Sequence, residues 1–220
     1  PPALLYLQLY QSYNLYIEEK AQYYLELGMQ KCRELKNYTV LIAFYGEKAA
    51  GYFRKKKWNE IIEIAEEYFN LPESLKPGTL GTDAEIHLLR AVAYKALRRN
   101  NEAITDYLEF FRIYKSIENG KLQSPDMLVY CFSVAVRYNL ANALIELMEC
   151  CIEEKKYEIA AQNLKIVKIP ELYDRPNIKE LLRQEFIIMT NTGMYNRAGQ
   201  LYEQLNDEGR LYLQAFVRSS

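Results

Sequence analysis

Four stretches of this chain share a pattern in which one helical segment ends in polar or basic residues and another begins shortly afterwards. In each stretch the turn leads into an aromatic residue or Asn, and a small or branched residue follows. The stretches are residues 54–61, 98–103, 154–160 and 191–198. A helix–turn–helix pattern that recurs in this way predicts an array of antiparallel helix pairs.

The hydrophobic pattern predicts helix along almost the whole chain. Apolar and aromatic residues recur at spacings of three and four, and no segment keeps the alternation of a strand over a useful length. We therefore predict an all-α fold, an α-solenoid of four to five antiparallel helix pairs in a single domain of residues 1–220. Gly81, Thr82 and Asp83 are predicted to cap the helix that follows them. The predicted helical units span residues 1–37, 39–69, 84–114, 125–168 and 178–205.

Charge and composition restrict the kinds of partner. The formal net charge is −1 and basic residues are not gathered into one large block, so no nucleic-acid partner is expected. No apolar run approaches the roughly 18 residues of a membrane span, so no membrane partner is expected either. Tyrosine is unusually frequent, with 20 Tyr against 8 Phe and one Trp. Its ring can pack while its hydroxyl reaches water, which suits the half-buried faces of stacked helices.

The four cysteines are interpreted as packing residues. They are Cys32, Cys131, Cys150 and Cys151, and none forms a C-x-x-C pair. A disulfide between the two adjacent cysteines would be strained. Because thiols of this kind persist in a reducing compartment, we predict a cytoplasmic location.

A search for catalytic and metal-binding patterns predicts no catalytic residue, no cofactor and no metal site. His87 is the only histidine, so a histidine pair for a metal cannot form. Residues 78–82 contain two glycines but lack the Lys and the spacing of a phosphate-binding loop. Adjacent glutamates such as Glu66 and Glu67 lie on polar helix faces, where solvation is the default.

Small residues and large rings alternate at the predicted helix contacts. In the clearest unit, Ala91 and Ala103 permit close approach, and Tyr94, Tyr107 and Phe110 fill the space between helices. This alternation resembles the tetratricopeptide repeat, over about two thirds of the chain. The spacing of the corresponding positions is longer than the family's period of about 34 residues, so the array is expected to be irregular.

The resemblance implies a non-catalytic scaffold that binds a protein or peptide on its concave face, which the first helix of each pair lines. The subset of the family that grips a terminal carboxylate has Lys, Asn and Arg at positions that here hold Gly46, Ala50, Leu88 and Val92, so that grip is absent. The residues that the resemblance places in the groove are Phe53, Arg54, Glu85, Leu88, Val92, Lys95, Asn142, Glu149, Ile152, Arg183, Ile187 and Asn191.

Two alternative functions are weighed. Tyr-rich, irregular arrays resemble the C-terminal extensions of some bacterial family 2 glycosyltransferases, and a chain that opens with Pro1 rather than Met is read as a fragment of a longer protein. The partner would then be an adjoining catalytic domain, because this sequence has no Asp-x-Asp signature of its own. A peptide-sensing bacterial regulator ranks last, because residues 1–37 do not resemble the helix-turn-helix of that class.

Overall fold

The computed structural model describes residues 2–14, 16–76, 80–118, 140, 142–164, 175–204 and 214. All the regular secondary structure in these ranges is helical, which confirms the predicted all-α class. The chain divides into two compact units, one of residues 1–97 and one of residues 98–220.

The first unit contains five α-helices. They are α1 (Pro2–Tyr13), α2 (Glu18–Glu34), α3 (Tyr38–Arg54), α4 (Trp58–Phe69) and α5 (Leu80–Ala96), with a 3-10 turn at Glu73–Leu75 before α5. Each helix packs on its neighbour in sequence, and α5 packs on both α3 and α4. Helix α3 approaches α2 closely at Gly28, where the buried ring of Phe44 occupies the place of a side chain. The core of this unit is therefore continuous across all five helices.

Five α-helices lie in the described part of the second unit. They are α6 (Asn100–Glu118), α7 (residues 142–153), α8 (Tyr157–Asn163), α9 (Arg175–Asn191) and α10 (Tyr195–Gln204). The hydroxyl of Tyr107 on α6 donates a hydrogen bond to the Glu146 carboxylate on α7. Tyr107 is fully buried, and this burial raises the pKa of its hydroxyl well above the usual value, with Glu146 acting in the same direction. A neutral phenol donating to a carboxylate satisfies both groups, so this bond stabilises the α6–α7 contact.

Five of the helix-to-helix turns share one backbone geometry. Each places a residue with positive φ two positions before the next helix begins. In the turn before α4, the backbone N–H of Lys57 donates to the carbonyl of Tyr52 at 3.0 Å, which is the Schellman closure of a helix C-terminus. The positive-φ residues are Lys36, Lys56, Arg98, Lys155 and Gly193.

One of the five turns is not among the four recurring stretches, although it falls at the predicted boundary between the units of residues 1–37 and 39–69. It lies between α2 and α3 and is closed by the N–H of Asn37 donating to the carbonyl of Cys32 at 2.8 Å. The Asn37 side chain then accepts a hydrogen bond from the N–H of Val40 at 3.3 Å and caps α3. An Asn cap of this kind contributes about 1 kcal/mol to stability.

Two local predictions were wrong. Gly81, Thr82 and Asp83 do not precede a helix, because α5 already begins at Leu80 and these residues form its first turn. Tyr195 is the aromatic residue that follows the turn in the recurring stretch of residues 191–198, and its ring was expected to pack between helices like the rings of the clearest unit. It is 68% exposed, because burial in α10 starts only at Ala198. By contrast, the rings and small residues of the clearest unit are buried as predicted: Ala91, Tyr94, Ala103, Tyr107 and Phe110.

The three described cysteines, Cys32, Cys150 and Cys151, are buried, as their interpretation as packing residues requires. Burial raises the pKa of the Cys32 thiol to about 11 and that of Cys151 to about 12. Cys131 lies outside the described residues, as do both ends of the predicted unit of residues 125–168. In the described ranges, no helix is both long enough and apolar enough to cross a bilayer.

Candidate functional site

Polar side chains from three helices of the first unit converge on one surface, which we call the polar face. It consists of Tyr10 and Gln11 on α1, Glu47 and Arg54 on α3, and Glu85 on α5. The Gln11 amide donates to the Glu47 carboxylate at 2.8 Å, and the Tyr10 hydroxyl donates to the Glu47 backbone carbonyl at 3.3 Å. Arg54 donates to the Tyr10 oxygen at 3.5 Å. These bonds join residues more than 35 positions apart in sequence, so the tertiary fold, and not one local motif, creates the face.

Small residues keep the polar face open along α3. Gly46, Ala50 and Gly51 lie on or beside the helix face that carries Glu47 and Arg54. A Cβ built at Gly46 would lie 3.4 Å from a carboxylate oxygen of Glu85. The absence of a side chain there lets α5 bring its carboxylate next to the α3 backbone.

Glu85 is the most perturbed carboxyl of the polar face. Its side chain remains exposed to solvent. Desolvation by the surrounding protein nevertheless raises the pKa of its carboxyl, and the charge of Glu47 raises it further. The charge of Arg54 lowers the pKa and partly offsets these two effects. In the described part of the chain, neither Glu85 nor Glu47 forms an ion pair. The two carboxylates therefore repel each other without a direct cationic partner.

Tyr10 lies on the α1 side of the polar face and is buried. Its side chain is only 3% exposed, and desolvation raises the pKa of the hydroxyl, with Glu47 acting in the same direction and Arg54 against it. The hydroxyl thus stays neutral at physiological pH. It connects Arg54 to the backbone of Glu47 as one hydrogen-bonded chain.

The groove residues predicted in the first unit lie on α3 and α5. Arg54 and Glu85 are brought close enough for their charges to interact. Phe53 is 38% exposed and meets the Trp58 ring edge-on, with ring centroids 6.0 Å apart. The other three are half-buried along α5: Leu88, Val92 and Lys95.

The groove residues predicted in the second unit lie on α7 and α9. Arg183 is paired with Glu180 one turn away on α9, and the Asn191 side chain donates to the Ile187 carbonyl at 2.8 Å. Both of these polar side chains are therefore engaged within their own helix. Asn142 is exposed, and the remaining three are half-buried: Glu149, Ile152 and Ile187.

Sequence reasoning missed the contribution of α1 and of Glu47. Tyr10, Gln11 and Glu47 were not among the predicted groove residues, although they make most of the hydrogen bonds of the polar face. The available signal was the run of tyrosines at three- and four-residue spacing in α1, with Tyr10 between Tyr6 and Tyr13. That spacing indicates a helix face but does not say which later helix will contact it.

The described residues contain no group of three or more His, Cys, Asp or Glu side chains arranged to hold a metal ion. Comparisons of the chain with protein-family models, with curated proteins and with solved structures gave no match. The polar face is therefore the feature of the described residues that bears most directly on function.

Proposed function

We propose that this chain is a tetratricopeptide-like helical repeat protein that binds an extended segment of a partner protein on its polar face. The observation that carries the proposal is the convergence of Tyr10, Glu47, Arg54 and Glu85 from three helices onto one open surface. These are the first helices of successive predicted pairs, which line the concave face in helical repeat arrays.

Two features of the backbone support the repeat part of the proposal. Five turns repeat the same positive-φ geometry. Helix α5 also covers both members of the preceding pair, α3 and α4, as the first helix of the next repeat would. The alternative role as an accessory region of a family 2 glycosyltransferase stays a prediction, because no described residue favours it.

The charges of the polar face define the partner's chemistry. Glu47 and Glu85 repel each other and have no ion-pair partner among the described residues. A Lys or Arg side chain of the bound segment placed between them would relieve that repulsion and form charge-assisted hydrogen bonds.

A displayed library of random peptides, selected on the 220-residue protein, tests this function. The selected peptides are synthesised and their affinity is measured by fluorescence anisotropy. We expect them to share a basic residue, and the double variant Glu47→Gln/Glu85→Gln to lose at least tenfold in affinity. The matched control is Glu63→Gln/Glu66→Gln, which removes the same charge from two exposed positions of α4.

The control variant should bind within twofold of the unmodified protein, and circular dichroism should show that both double variants remain helical. The proposal is wrong if the selected peptides bind the site variant and the control variant equally well. It is also wrong if repeated selection returns no peptide that binds saturably.

A further inference from the structure

A small cavity lies at the end of the polar face, between α1, α2 and α3. Its volume is about 110 Å³. A single water needs roughly 10–15 Å³ by this kind of measure, so the cavity can hold a group of several heavy atoms. The polar residues that line it are Tyr10, Asn14, Glu18, Gln22, Lys48, Arg54 and Lys55, and Ala21, Leu25, Gly51 and Tyr52 form the rest of the wall.

The lining of this cavity carries an excess of positive charge. Three cations face one carboxylate, that of Glu18. Glu18 pairs with Lys55, and Glu26, just outside the lining, pairs with Lys48 at 3.0 Å. Both carboxylates are largely exposed, so these pairs are weak and can exchange for another anion. With Glu26 counted, three positive groups stand against two carboxylates, and the next carboxylate, Glu47, acts on Tyr10 from outside the lining.

The Arg54 guanidinium has N–H groups that are available to donate hydrogen bonds to a ligand. Among the described residues it forms no ion pair, and its one hydrogen bond is the 3.5 Å contact to Tyr10. A guanidinium has five N–H donors in a planar fork that matches an oxyanion. Most of these donors have no protein acceptor, and the Lys48 ammonium lies in the same wall with its side chain only 16% exposed.

Gly51 creates the space beside these donors. A Cβ built at this position would lie 3.6 Å from the Tyr10 oxygen and 3.8 Å from an Arg54 guanidinium nitrogen. Any side chain at this position would therefore take up part of the volume next to the guanidinium. The backbone itself has a helical conformation, so the lack of a side chain is not required by the fold.

We propose that this cavity binds a single oxyanion, a phosphate or a carboxylate group, held by Arg54 and Lys48. Arg54 donates from its planar fork, and Lys48, which is also on α3, contributes a second positive charge. The neutral hydroxyl of Tyr10 orients the guanidinium. This site does not require the peptide groove to be functional, because it is built between α1, α2 and α3 and excludes Glu85.

Isothermal titration calorimetry on the 220-residue protein tests the site, with sodium phosphate, sulfate and acetate as probes at constant ionic strength. We expect saturable binding of at least one probe with a stoichiometry of one. Binding of phosphate and sulfate alone identifies a tetrahedral anion as the ligand class, and binding of acetate as well extends the class to carboxylates. The absence of saturable binding by all three probes overturns the proposal.

Three variants locate the bound anion. Arg54→Gln should weaken binding at least tenfold, whereas the control Lys57→Gln, which removes a nearby charge that does not line the cavity, should change it less than twofold. Gly51→Ala keeps every charge and should still weaken binding at least threefold, because its methyl group enters the cavity. Equal affinities of the Arg54 and Lys57 variants, or an unchanged affinity of the Gly51 variant, would show that the anion binds elsewhere.

Discussion

Because α2 and α3 approach each other closely at Gly28, we expect the substitution Gly28→Ala to destabilise the protein. A Cβ at this position would lie 2.2 Å from Cζ of Phe44 and 2.8 Å from both of its Cε atoms. Carbon atoms pack at about 3.5–4.0 Å, so the ring would have to retreat by roughly 1.5 Å. Phe44 is fully buried in the core of the first unit, so its ring can move only by displacing other core side chains.

Two opposing effects determine how much Gly28→Ala changes the free energy of unfolding. Overpacking a filled core costs about 1–3 kcal/mol, and the full burial of Phe44 places this case at the upper end. Replacing a helical Gly by Ala returns about 0.5–1 kcal/mol. We therefore expect Gly28→Ala to lower the free energy of unfolding by about 2 kcal/mol. Gly51→Ala is the matched control in the same unit: its methyl meets only ordinary contacts, so it should be neutral or stabilising.

Urea denaturation followed by tryptophan fluorescence measures this effect, because Trp58 is the only tryptophan and lies on α4 of the first unit. The denaturant slope should stay constant so that midpoints can be compared. Phe44→Leu removes the clashing ring atoms, so the double variant should show a favourable coupling of at least about 1 kcal/mol. A Gly28→Ala protein as stable as the unmodified one, or additive effects at the two positions, would refute the predicted contact.

Three further predictions concern the turns, the polar face and the thiols. Lys56→Gly should stabilise the first unit by about 1 kcal/mol in the same urea assay, because Lys56 has a φ of 55° that favours Gly; Lys57→Gly, at a φ of −85°, should give no gain. Glu85→Gln should raise the urea midpoint at pH 7, because the raised pKa of Glu85 means that its charged form opposes folding. This gain should shrink as the pH falls toward about 4, where the carboxyl is protonated in both states, and a pH-independent gain would contradict this origin. Iodoacetamide should modify Cys32, Cys150 and Cys151 slowly in the native protein and rapidly in denaturant, as measured by peptide mass spectrometry, because the three thiols are buried.

The sequence predicted where helices change but not the backbone geometry that joins them. Polar, basic runs correctly indicated the turns at residues 54–57 and 154–157. Their positive φ was not predictable, because Lys and Arg have no intrinsic preference for the left-handed region. These residues adopt it because the Schellman hydrogen bonds and the packing of both flanking helices compensate for its cost. Only Gly193 gave the usual sequence signal for such a turn.

The candidate site was predicted only in part, because the sequence pattern of one helix does not show which other helices it contacts. Helical spacing correctly placed Glu85, Leu88 and Val92 on one helix, and the structure brings Glu85 near Arg54. Periodicity describes one helix at a time, so it could not reveal that Tyr10 meets Arg54 across 44 residues. Contacts between helices depend on which residues are small enough to allow close approach, and single-helix patterns do not contain that information.

The helical glycines of the first unit also depend on contacts between helices that single-helix patterns do not show. One of them supports core packing, and the others lie beside the proposed binding sites. Gly28, Gly46 and Gly51 each lie inside a helix, where Gly costs about 0.5–1 kcal/mol relative to Ala. At Gly28 the Phe44 ring packs into the vacant space and offsets that cost. At Gly46 the nearest atoms belong to Thr82 and Glu85 of α5, and at Gly51 they belong to Tyr10 and Arg54 beside the cavity, where no core side chain fills the vacant space. Stability given up where polar groups converge is typical of a surface that binds a ligand. Substitution by Ala should therefore destabilise the protein at Gly28, whereas at Gly46 and Gly51 it should preserve stability and weaken binding.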